Sequence, residues 1–148
     1  MEQNRITFTL NHVVGELNRN ADRILREEFG LTYSQFLFLL HLETCGTVSS
    51  SVLARNMGVS RAAVSKRVMW FTSRGLVDSG QAHSDQRLVT LAITARGKEL
   101  VQQMSDVLEA RFRERFEGLV TVDLEELNRT LLFVHAHLQG SKESRAAA

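Results

Sequence analysis

The sequence predicts a mainly α (α+β) protein, and three observations predict it. Apolar residues recur at alternating steps of three and four near both ends, and no proline interrupts them. Between them, two short apolar runs, Leu76 to about Ser79 and Leu88 to Ile93, flank a polar stretch, Gly80 to Gln86, as the arms of a β-hairpin flank its tip. With 148 residues and 43% hydrophobic content, the chain can bury a core as one compact unit without disulfides or metals.

Leu10, Val14, Leu17, Ala21 and Ile24 form the apolar stripe of a long first helix. Gly30 breaks it, and Thr32 with Gln35 three residues later makes a capping box for a second helix running to about Glu43. That helix is apolar on most sides, so it belongs in the core. "TVSSSVLARNMGVS" then offers Ser N-caps, a short helix around Val52 to Asn56 and a turn at Gly58.

Ser60 caps the next helix, Arg61 to Arg74, whose Val64, Val68 and Phe71 face the core. Steps of 100° per residue put Ala62, Lys66, Met69 and Ser73 outermost, with Ser65 and Trp70 on the flanks. Two short helices joined by a tight glycine turn form a helix-turn-helix, and a hairpin directly after it is a wing. Gly75 ends the helix, Thr94 caps a long helix from about Ala95 to Phe116, and Thr121 is placed to cap a last one. In that last helix Leu124, Leu127, Leu131, Val134 and Leu138 repeat at three and four. The fold is thus a winged helix-turn-helix with long N- and C-terminal helices. Their stripes exceed what one lobe can cover, which predicts a homodimer. Residues 1–31 and 95–139 form the helical dimerisation region, 32–94 the winged helix-turn-helix lobe, and "GSKESRAAA" a flexible tail, 140–148.

Charge points to the partner. From Arg55 to Arg96 seven Lys/Arg stand against two acids, a net +5, while eleven against fifteen leave −4 elsewhere. A basic middle between acidic flanks is the footprint of a module that meets phosphate with one face. A small, cationic helix face can enter the major groove of double-stranded DNA, because Ala and Ser let the backbone approach while Arg and Lys reach phosphates or guanine edges.

With "VLARNMGVSRAAVSKRV", "SRGLV" and "SDQRLVTLAITARG" in this order of elements, the chain resembles the MarR family of winged-helix transcription regulators from about Leu10 to Leu138. The most specific match is the wing pattern Asp85, Arg87, Ile93 and Thr94. The resemblance implies a homodimer joined through its terminal helices on a pseudo-palindromic operator. It also implies a repressor released by a small aromatic or phenolic ligand, or by cysteine oxidation. Residue by residue, it places Ser60, Arg61, Ala62, Ser65 and Lys66 at the groove, and His83, Ser84, Gln86 and Arg87 in the wing, where Asp85 and Arg87 form a brace. Four positions depart from the family: Gln86 replaces a frequent base, Arg67 a common apolar residue, and Met69-Trp70 an acid-then-base pair.

Several residues carry two readings. Arg67 lies nearer the core side, where pairing with an acid of a neighbouring helix competes with DNA contact. His12, His41 and Trp70 are candidates to line a ligand pocket, against plain surface, interface or packing roles. Cys45, the single cysteine, reads as a small buried filler, with redox control through it as the alternative; it excludes an internal disulfide. His135 and His137 point to different faces, so no metal site is expected, nor any cofactor. No phosphate loop, nucleophile elbow or ligand cluster suggests an enzyme. A winged helix turned to a protein partner is the remaining rival, disfavoured by the basic segment. No membrane-length apolar run and no signal pattern occur, which predicts a cytoplasmic protein.

Overall fold

The computed structural model describes residues 3–82, 85–119 and 121–146. In order these form α1 (Gln3–Phe29), α2 (Tyr33–Cys45), β1 (Val48–Ser49), α3 (Ser50–Met57), α4 (Arg61–Thr72), β2 (Val77–Ala82), β3 (Asp85–Ile93), α5 (Ala95–Phe116) and α6 (Leu124–Ala146). The chain forms two compact units, residues 1–110 and 111–148.

In the first unit α2 is the central element. Thr32 Oγ1 accepts the Gln35 amide and the Gln35 side chain accepts the Thr32 amide, the reciprocal capping box expected. Phe36, Phe38, Leu39 and Leu42 are buried, and the Phe38 ring stacks on Phe71 of α4 at 5.2 Å between centroids. Leu25, Leu53, Val64, Leu91, Val101 and Met104 complete this core. Burying side chains of this kind stabilises by about 1.5–3 kcal/mol each.

The sheet is antiparallel with order β1-β3-β2. β1 was not expected. It has two residues, and only its pairing with β3, Val48 opposite Leu91 and Ser49 opposite Thr90, makes it a strand. The hairpin strands also run further than the apolar runs predict, because ladder bonds join backbones whatever the side chains. Pairing continues through Gln81 opposite Val89, with an irregularity between Gln81 and Ala82.

The base of the hairpin is locked. Leu76 N–H bonds the Phe71 carbonyl and Gly75 N–H the Thr72 carbonyl, with Gly75 at φ 66°, the Schellman motif that stops α4. Thr94 Oγ1 donates to the Gly75 carbonyl and accepts the Gly97 amide, fulfilling its expected capping role. α5 packs so tightly here that a Cβ on Gly97 would lie 2.3 Å from the Leu76 carbonyl oxygen.

In the second unit Asp123, rather than Thr121, caps α6: its Oδ1 accepts the Glu125 and Glu126 amides at 2.9 and 3.0 Å. An N-cap must directly precede the helix to reach these amides, and Thr121 stands two residues too early. α6 continues to Ala146, past Gln139, where a tail was expected; Lys142, Glu143, Arg145 and Ala146 favour helix and no proline stops it. Cys45 is also corrected: it is exposed, as the last residue of α2 before the chain turns away at Gly46. Among the described residues no helix is long and apolar enough to cross a membrane.

Gly97→Ala is expected to destabilise the fold by about 1–3 kcal/mol through overpacking. Gly118→Ala, with no atom within 4 Å of the added carbon, should change little. Chemical denaturation of the two variants checks the contrast.

Candidate nucleic-acid interface

α4 is presented by a chain of local constraints. Gly58, at φ 63°, ends α3 with its own Schellman pair, Val59 N–H to the Ala54 carbonyl and Gly58 N–H to the Arg55 carbonyl. Ser60 then caps α4, its Oγ accepting the Ala63 amide at 3.1 Å. Val64 and Phe71 are fully buried and Val68 half-buried, so the opposite face must point outward.

That face carries the expected residues. Arg61, Ala62, Ser65, Lys66 and Met69 are all exposed. Arg61 and Lys66 have no hydrogen-bond or ion-pair partner among the described residues. Solvated cations with no internal partner can meet phosphate or base edges without breaking a protein contact.

Arg67 differs. It is half-buried, and its guanidinium donates to Ser34 Oγ on α2 at 2.8 Å, so its partner is a hydroxyl rather than an acid. Its Nη1 is buried without a partner. It lies beside Trp70, which meets Phe71 edge-on at 5.0 Å and carries the Arg74 guanidinium over its ring at 3.6 Å. Between α2 and α4 opens a groove of about 440 Å³, with Thr32, Ser34 and Gln35 on one side and Ala63, Lys66, Arg67, Trp70 and Phe71 on the other.

Of the three pocket candidates only Trp70 lines this groove. His12 and His41 do not join it, because each imidazole Nδ1 turns back to a carbonyl of its own helix, Phe8 at 3.2 Å and Leu37 at 2.8 Å. The α2 side, Thr32, Ser34 and Gln35, was missed as lining; its only sequence signal is the capping box, which marks a helix start and not a groove wall. The α2 start is fixed from α1 by Asp22, which accepts the Tyr33 amide at 2.8 Å and Arg26 Nε at 2.6 Å.

In the wing, His83 and Ser84 lie outside the described residues, and so do the side chains of Asp85, Gln86 and Arg87; the backbone of 85–87 belongs to β3. Among the described residues no group of three or more His, Cys, Asp or Glu could hold a metal ion.

A capped helix with a free cationic face, set on a three-stranded wing sheet, defines a winged-helix fold. Residues 29–88 match the model of the MarR family. The chain is 26% identical over 132 residues to the HTH-type transcriptional repressor IacR of Pseudomonas putida, covering 89% of this chain and 78% of that one. Its fold is similar to that of a MarR family protein from Bacillus stearothermophilus, with TM-score 0.80 and 17% identity over 93% of this chain and 96% of that one. It is also similar to the transcriptional regulator BldR from Sulfolobus solfataricus, with TM-score 0.75 and 22% identity over 92% and 96%. Over residues 29–88 the chain is thus similar to the MarR family of DNA-binding transcription regulators, and over most of its length it shares the fold of that family's solved structures.

The Asp22 contacts give a pH prediction. The hydrogen bond from Arg26, then that from the Tyr33 amide, hold its carboxyl below its ordinary value of 3.8. A lowered folded-state pKa contributes stability above the unfolded value and loses it as pH falls through the folded one. Asp22→Asn should therefore be less stable than the parent at neutral pH, and the gap should close as the pH falls below 3.8, read from denaturation midpoints across that range.

Proposed function

We propose that the chain is a homodimeric repressor that binds a pseudo-palindromic operator in double-stranded DNA, one α4 per half-site, and is released by a small aromatic or phenolic ligand. The observation that carries this reading is the exposed, unpartnered pair Arg61 and Lys66 on the capped, small-residue face of α4. Ser60, Arg61, Ala62, Ser65 and Lys66 enter the major groove. The wing residues His83, Ser84, Gln86 and Arg87 grip the flank, with Asp85 bracing Arg87. Residues 32–94 form the reading lobe, and 1–31 with 95–139 join the two copies.

Dimerisation is supported by uncovered apolar side chains in each unit. On α1, Ile6, Phe8, Val13 and Val14 are 46–67% exposed; on α6, Leu131, Leu132, Phe133 and Leu138 are 40–76% exposed. Monomers seldom leave such surfaces in water. Two copies would set their α4 helices about one DNA turn apart, ~34 Å.

The groove between α2 and α4 suits the effector. Trp70 supplies an aromatic wall, and the unpartnered Arg67 Nη1 a buried donor for a carboxylate or phenolate. Lys66 lines the groove and also stands on the DNA-facing stripe, so an occupant competes with DNA for the same cation.

Selection of purified protein on random duplexes, at two salt concentrations, tests the DNA reading. A symmetric site with half-sites ~10 bp apart and steep loss of affinity in salt are expected. Arg61→Ala should relax base preference at one position, at about 1–3 kcal/mol, whereas Arg87→Ala should weaken all sequences alike. No enrichment of any site would contradict the reading, and the reverse pattern would mean the two roles are misassigned.

Trp70, the single tryptophan, reports the effector. Titration with benzoic and phenolic acids should quench its fluorescence and release DNA at one common midpoint, and Arg67→Met should shift both together. Release with Trp70 unchanged would place the effector elsewhere.

A further inference from the structure

We infer that Met69 is a specificity-determining residue that reads the 5-methyl group of one thymine in each half-site. The inference rests on the proposed reading of DNA by α4.

Met69 is 70% exposed, an unusual position for a large apolar side chain on a surface otherwise polar. It is not part of an apolar patch. On a helix its surface neighbours stand three and four residues away. Here they are Ser65, Lys66, Thr72 and Ser73, all exposed and all polar. A protein-docking face would surround Met69 with further apolar groups, and a packing role would bury it. A single apolar group amid cations and hydroxyls matches a surface that offers isolated apolar groups amid acceptors and phosphates. The major groove is such a surface: each thymine presents one methyl beside its O4 acceptor.

Placement agrees. Met69 follows Ala62 by seven positions and Lys66 by three, so the three share one stripe of α4. Seven residues at ~1.5 Å rise span ~10.5 Å, about three base-pair steps at ~3.4 Å. An α4 lying along the groove thus sets Met69 three to four base pairs from the position read by Arg61. The flexible, polarisable thioether can adjust its reach to such a methyl.

The test replaces each thymine of the selected operator, one at a time, with deoxyuridine, which deletes only the methyl. Affinity is measured for the parent, Met69→Ala and Met69→Leu. Parent protein is expected to lose about fourfold in affinity at one thymine per half-site, the worth of one methyl-sized apolar contact. That position should lie three to four base pairs from the one relaxed by Arg61→Ala. Met69→Ala should bind thymine and deoxyuridine equally there while keeping the parent's profile at every other position, and Met69→Leu should restore the discrimination. An unchanged deoxyuridine profile in Met69→Ala would overturn the inference while leaving α4 as the DNA reader. Failure of every protein to select an operator would instead overturn the DNA reading and the inference with it.

Discussion

The arrangement of α4 and the wing depends on one side chain, Thr94. Its hydroxyl donates to the Gly75 carbonyl at the end of α4, and the same oxygen accepts the Gly97 amide at the start of α5. Its own amide bonds the Leu76 carbonyl, where β2 begins. Three elements therefore meet the end of β3 at one residue, and the absent side chain of Gly97 lets α5 approach closely enough for this to happen. A wing and a recognition helix are useful only at a fixed angle to each other. Here a hydroxyl and a glycine fix the root of the hairpin to the end of α4, while Phe38 against Phe71 fixes the last turn of α4 to α2. The "ITARG" stretch that helped mark the family is, physically, this joint.

The cations of α4 then divide by burial. Arg61 and Lys66 stand in water with nothing to hold them, so neutralising a phosphate requires no broken contact. Arg67, one residue further round the helix, is half-buried, with its Nη1 buried and unpartnered and one partner, Ser34, for the guanidinium. A buried guanidinium nitrogen without an acceptor is costly. In the proposed function an anionic effector offsets that cost, and Lys66 links the two sites because it borders both.

Much of this was legible in the sequence, and for identifiable reasons. The capping box at Thr32, the caps at Ser60 and Thr94, the turn at Gly58 and the outward stripe Ala62, Lys66, Met69 are local features, fixed by spacing within one or two turns. What escaped was decided by distant partners. Strand β1 exists only because residues 90 and 91 lie beside it. The groove wall at Ser34 exists only because α4 packs across the start of α2. Histidines 12 and 41 stand outside the groove between α2 and α4, each bonded to a carbonyl of its own helix. Cys45 was misjudged because its helix is buried along most of its length but not at its end.

The central claim is that two copies of α4 occupy two successive major grooves, and methylation interference on the bound duplex tests it most directly. Dimethyl sulfate marks guanine N7 in the major groove and adenine N3 in the minor groove. The account predicts that N7 methylation blocks binding in two clusters whose centres lie ~10 bp apart, related by two-fold symmetry. A single cluster, or interference by adenine N3 methylation alone, would contradict it.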